Sequence, residues 1–225
     1  GGGTGQQIWA GLATGDRAVT ISTGTIHEYT VGGGLSFGSQ KGRELTITAP
    51  VDATGDITLV GGSFNLGGGA IVDQAGTINM EGAGRLYLSG TGALPASKVL
   101  EVDNGWVAIS AGDSMAAGSQ VNVNSGAVFQ ATVQPGAGNG GVTVNSGGGV
   151  YVTAADALDN GNFSFQAGSQ LCLDQNNVTS LPTSGDVDFL IADGNRTISE
   201  NIVLGDNTRL ASAAAPPVSY PGPWS

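Results

Sequence analysis

Cysteine, histidine and positive charge are all scarce in this chain. Its 225 residues include one Cys, one His and 7 Lys+Arg. A lone Cys172 excludes an internal disulfide, and fits a cytosolic protein as well as a bacterial secreted protein that avoids disulfides. Against the 7 basic side chains stand 18 Asp+Glu, giving a formal net charge of −11. Such a surface does not neutralise phosphates, which excludes nucleic acid as a partner. Charged residues total only 11%, against about 25% in an ordinary domain. No apolar run approaches the ~18 residues of a spanning helix, so membrane insertion by this segment is not expected. Residues 1–17 lack the basic and apolar regions of a signal peptide, which fits a processed chain or a segment of a longer one.

Glycine is what the chain has in excess, with 40 residues. It follows no every-third-residue period, so collagen is excluded. Hydrophobic residues make up 40%, enough for a core, and the low charge argues against disorder. Helical periodicity is hard to find. Period-two alternation is common, as in Leu45-Thr-Ile47, Val121-Asn-Val123 and Val142-Thr-Val144.

The alternation recurs in register. LEVDNGWVAIS from Leu100, VNVNSGAVFQA from Val121, VTVNSGGGVYV from Val142 and FSFQAGSQLCL from Phe163 start 21 residues apart. The register extends back to Ile78 and Ile57, at steps of 22 and 21, and LSFGSQ at Leu35 reads as a further unit 22 earlier. One column is Ile57, Ile78, Leu100, Val121, Val142 and Phe163; a second is Leu59, Met80, Val102, Val123, Val144 and Phe165. A third turns polar after Val60, with Glu81, Asp103, Asn124, Asn145 and Gln166. A fourth holds Gly105, Gly126, Gly147 and Gly168, a turn position that needs positive φ or has no room for Cβ.

A unit this short, without a helix, is half a propeller blade but one full coil of a solenoid. Stacked coils pair each strand with the coils above and below, about 4.8 Å away. The expected fold is therefore all-β, a right-handed parallel β-helix with coils of about 21 residues. Asn124 and Asn145 should stack as an Asn ladder. Asp103 and Glu81, in the same column, should face solvent, because stacked like charges repel. The expected organisation is an N-terminal cap with lead-in strands over 1–34, coils over 35–205, and a Pro-rich tail over 206–225. Trp9 is a candidate for the cap, and Tyr220 and Trp224 for docking of the tail.

The tandem form V-x-V-N-S-G-x-V, with loops such as Leu88–Val102 and Val152–Gly161, resembles the strand repeats of bacterial autotransporter passenger domains. The stretch Asp186–Ile202 is similar to the closing segment that often follows them. The resemblance covers roughly residues 35–205. It implies surface display or secretion, with adhesion, self-association or a stalk role. The implied partners are the chain itself, through coil ends or lateral faces, or a host surface protein or glycan. It carries over no catalytic residue and no cofactor.

Residues able to carry chemistry are few beside that resemblance. His27, the only imidazole, lies early in TIHEYT. Cys172 sits between Leu171 and Leu173, and alternation alone leaves open which of the three points inward. No Cys/His spacing fits zinc, and no phosphate loop of the G-x-x-x-x-G-K-[ST] form occurs. Because β-helices also host carbohydrate-active enzymes, the carboxylates Asp186 and Asp188, and the Glu81/Asp103 column, are candidates for a catalytic pair or a Ca²⁺ site. Arg85, four residues after Glu81, is a candidate ion-pair partner. Thr46 and Thr48 form a single Thr-x-Thr, where an ice-binding array would repeat it on every coil. No catalytic, cofactor or metal residue is assigned. The expected function is noncatalytic; a β-helical lyase or glycosidase, and a β-sandwich pilin-like subunit completed by a partner's strand, are the alternatives.

Overall fold

A computed structural model describes residues 6–10, 19–28, 31–73, 76–133, 140–159, 162–182, 186–192, 195–206 and 208–213. Side chains of 6–10, 41–42, 72–73 and 213 lie outside that description. The chain is a parallel β-solenoid of about 8 turns spaced about 21 residues apart. The β-sandwich alternative is overturned, because every strand pairing among the described residues is parallel and joins neighbouring coils.

One lateral wall is built from β8 (Ile78–Glu81), β10 (Val99–Val102), β12 (Gln120–Val123), β14 (Gly141–Val144) and β16 (Phe163–Phe165). The adjoining wall holds β9 (Arg85–Ser89), β11 (Gly105–Ile109), β13 (Ala127–Ala131), β15 (Gly149–Val152), β17 (Gln170–Leu173), β18 (Asp188–Ala192) and β19 (Leu210–Ala213). We call these the first and second walls. The long strands β4 (Leu35–Ile47) and β6 (Ile57–Gly67) run through both, with a register shift in their pairing between Ser39 and Glu44. On a third side, β3 (Ile26–His27), β5 (Val51–Asp52) and β7 (Ile71–Asp73) form a small sheet. Later coils continue that side as turns stacked by backbone bonds, such as Leu94 N–H to Ser114 O at 2.9 Å.

The pairing reproduces the sequence columns. Ile57, Ile78, Leu100, Val121, Val142 and Phe163 are successive partners. The first five are at most 2% exposed. Phe163 is only half-buried, because β16 is the last strand of its wall. Its ring meets Phe129 edge-on at 5.8 Å, a preferred aromatic geometry. Leu59, Met80, Val102, Val123 and Val144 form the second inward ladder, all fully buried. Alternation makes both ladders inevitable once one face of the strand is interior.

The ladder also begins before the recurring register. β1 (Gln6–Ala10) pairs with Leu35–Ser39, and β2 (Val19–Ile21) pairs with Leu45–Ile47. The step from Gln6 to Leu35 is 29 residues, outside the 21- or 22-residue period of the later coils. Trp9 pairs through its backbone with Gly38, while its side chain lies outside the described residues. At the other end β19 extends the second wall to residue 213. Tyr220 and Trp224 lie outside the described residues.

Candidate functional site: two lateral faces

The outward face of the first wall carries a continuous polar chain. Asn145 donates through Nδ2 to Asn124 Oδ1 at 2.6 Å. Asn124 in turn donates to Asp103 Oδ1 at 2.8 Å and to Glu101 Oε2 at 3.1 Å. Asn122 donates to the other oxygen of Glu101 at 2.6 Å. Glu81 and Asp103 are exposed, as like charges in one column require. The amides thus run head to tail and finish on carboxylates, which only accept.

The glycine column positions this chain. Gly105, Gly126, Gly147 and Gly168 have φ of +95°, +92°, +75° and +79°, a region open to glycine at no steric cost. Their backbones stack: Gly126 N–H meets Gly147 O at 3.0 Å, and Gly147 N–H meets Gly168 O at 2.8 Å. The turn between the walls is therefore hydrogen-bonded coil to coil, like the strands beside it.

The second wall carries a different face, which the sequence columns did not reveal. The Arg85 guanidinium stands 5.2 Å from the Trp106 ring centre and donates to the Tyr87 hydroxyl at 3.1 Å. Arg85 therefore turns to aromatic rings and not to Glu81, which corrects the ion-pair expectation. Trp106 meets Tyr151 edge-on at 5.7 Å. The Tyr151 hydroxyl donates to Asp174, which pairs with Arg196. Burial and the neighbouring Asp174 push the Tyr151 hydroxyl well above its ordinary range. Leu171 and Leu173 point into the core, so Cys172 points outward, yet it is fully buried beside Leu190 and Ala192. That burial, with Asp174 nearby, pushes its thiol up to about 12, so it stays protonated at neutral pH.

The remaining candidates are dispersed. Asp188 accepts from the Arg209 backbone N–H and Nε, both at 2.8 Å, and ties β18 to the strand above. The Asp186 backbone carbonyl accepts from Gly168 N–H at 2.7 Å. His27 Nδ1 lies 3.1 Å from Asp52 Oδ2 on the third side, with both side chains exposed. Near the first coils, an open groove of about 390 Å³ is lined by Gly32, Gly34, Asp56, Thr58 and Glu81. Beside it, Glu28 caps the glycine bend: its carboxylate accepts from Gly32, Gly34 and Gly55 N–H at 2.9, 3.3 and 3.1 Å, and from the Thr54 hydroxyl. Among the described residues no three His, Cys, Asp or Glu side chains converge to hold a metal.

No family model, no curated protein and no solved structure matches the chain.

Proposed function

We propose that this chain is a noncatalytic β-helical segment of a bacterial surface or secreted protein, a stiff stalk whose lateral face serves adhesion or self-association. One observation supports it above the others: two carboxylates of the first wall, Glu101 and Asp103, are bound into its own ladder, and Glu81 takes no part in it. Glu101 takes two amide donors and Asp103 one. A glycosidase pair instead faces a common substrate across a gap of about 5–10 Å. The coil-on-coil pairing supports a stalk, because each turn adds about 4.8 Å of axial length. The partners that fit are a second copy, through a coil end or a lateral face, or a host surface protein or glycan. The net charge of −11 keeps nucleic acid out of that set.

The test is binding set beside turnover. The chain should bind itself, cells or immobilised glycans in a surface-binding assay, and release no reducing sugar or unsaturated product from acidic polysaccharides. Turnover that is lost in Asp103→Asn or Asp188→Asn would replace the stalk with a carbohydrate-active enzyme. Absence of every binding, including to itself, would remove the adhesive role.

A further inference from the structure

One inward column of the second wall runs the length of the solenoid. Val19 opens it opposite Leu45, and Leu210 closes it opposite Phe189. Every member between, from Leu45 to Phe189, is at most 1% exposed. Val19 is 40% exposed and Leu210 54%. An interior member has a coil on each side; each end member has one on a single side. Val203 and Leu204, on the same last coil as Leu210, are also exposed.

The strands that carry the two end members have bare edges. Among the described residues β2 pairs only with β4, and β19 only with β18. In a parallel ladder the N–H and C=O of one residue face the same neighbour, and those of the next residue face the other. Thr48 N–H donates to Ile21 O at 2.9 Å, so Val19 and Ile21 turn toward β4 and Thr20 turns out. Phe189 N–H donates to Arg209 O at 2.9 Å, so Arg209 and Ala211 turn toward β18, and Leu210 and Ser212 turn out. Neither VTI of β2 nor LASA of β19 holds a charge or a proline, the usual protection of an edge.

We propose that these two ends form one interface, in which β19 of one copy takes β2 of a second copy as its parallel neighbour. This rests on the self-association of the proposed function and names its surface. The column dictates the register: Leu210 opposite Val19, Ala211 opposite Thr20, Ser212 opposite Ile21. In that register Thr20 N–H meets Leu210 O, and Ser212 N–H meets Thr20 O, so the bare groups of one end answer those of the other. A second copy is the occupant because it continues both the apolar column and the ladder phase, as every interior coil already does. The contact joins two unlike surfaces and leaves one of each free, so it repeats into an open filament. Ten strands of the second wall, β2 to β19, at about 4.8 Å each, set an axial repeat of about 48 Å per copy.

Two variants and their mixture test the contact. The parent's mass in sedimentation should rise with concentration past that of a dimer. Leu210→Asp and Val19→Asp should each lose all assembly, with far-UV circular dichroism unchanged, because both positions already meet solvent. Mixed, the two variants should form a one-to-one dimer and nothing larger, since one keeps a sound β2 and the other a sound β19. A parent that is monomeric at every concentration overturns the proposal. So do variants that assemble like the parent, which would put self-association on a lateral face, and a mixture that stays monomeric while the parent assembles. A cross-link reads the register separately. In a Cys172→Ala background, Leu210→Cys mixed with Val19→Cys should be joined as a heterodimer by an added oxidant, because paired positions on neighbouring strands stand within disulfide reach. Equal or greater yield of either homodimer overturns the register. Binding of cells or glycans by the monomeric variants would leave the stalk reading standing when this contact fails. Polysaccharide turnover would remove that reading without touching the contact.

Discussion

Asn145 and Asn124 lie one coil apart and are joined by a single amide hydrogen bond of 2.6 Å. That bond is one link in a chain that runs from neutral amides to the carboxylates of Asp103 and Glu101. The direction matters, since every amide in it donates toward the negative end.

Asn124 is therefore the pivotal link. Asn124→Ala removes both donors and should destabilise the chain by about 1–2 kcal/mol. Asn124→Asp removes the same donors and sets a third carboxylate beside two others. It should cost more than the alanine variant at low salt, with the gap closing in high salt. Urea titrations of both variants at two ionic strengths measure this, and equal stabilities at low salt would refute it.

Glycines in neighbouring positions should respond differently. At Gly126 a Cβ meets nothing closer than Asp103 O at 4.0 Å, so only its positive φ resists substitution. Gly126→Ala should cost about 1–2 kcal/mol. At Gly148 a Cβ would stand 2.4 Å from the backbone oxygen of Val123, which has no room to retreat inside the ladder. Gly148→Ala should cost about 3 kcal/mol, the upper end of ordinary overpacking. A reversed order in thermal melts would contradict the turn geometry.

The bend at residues 31–34 should loosen in acid. The Thr54 hydroxyl, helped by the Gly32 and Gly55 amides, holds the Glu28 carboxyl down at about 2. A carboxylate lowered by folding stabilises fully above its ordinary value and loses that contribution as pH falls toward the lowered one. Protection factors of the Gly32, Gly34 and Gly55 amides, taken against the intrinsic exchange rate at each pH, should stay high near pH 5 and fall as pH approaches about 2. In Glu28→Gln the acid-dependent step should vanish; its persistence would assign the step to another group.

Alkali should weaken the second wall. Burial raises the Cys172 thiol to about 12, and the Tyr151 hydroxyl is raised as well. The unfolded chain releases these protons at lower pH than the folded one, so stability falls as pH climbs from about 9 toward 12. Melting temperatures across that range should decline less steeply in Cys172→Ala. An identical slope would mean that the thiol does not contribute.

Much of the fold was legible because a solenoid writes its geometry repeatedly. Each inward column from Ile57 to Val142 samples the same interior, and each turn glycine from Gly105 to Gly168 the same positive φ. The polar ladder was legible for the same reason, through Asp103, Asn124 and Asn145. The first coil was not, because Gln6 stands 29 residues before its partner Leu35. Nor was the second wall. In GWVAI all five residues are buried, so alternation offers no polar phase to tell inside from outside. The same ambiguity left Cys172 unassigned between Leu171 and Leu173.

The sequence by itself determined the period, the parallel stacking and the residues of the inward ladders, since those follow from apolar side chains recurring once per coil. Only the tertiary structure decided what the outer faces do. Asn124 finds Glu101 as well as Asp103, Arg85 finds Trp106 in place of Glu81, and Cys172 is buried on the outside. Such contacts join different columns and different coils. They depend on how far a side chain reaches across a wall, a distance that no single column of the repeat contains.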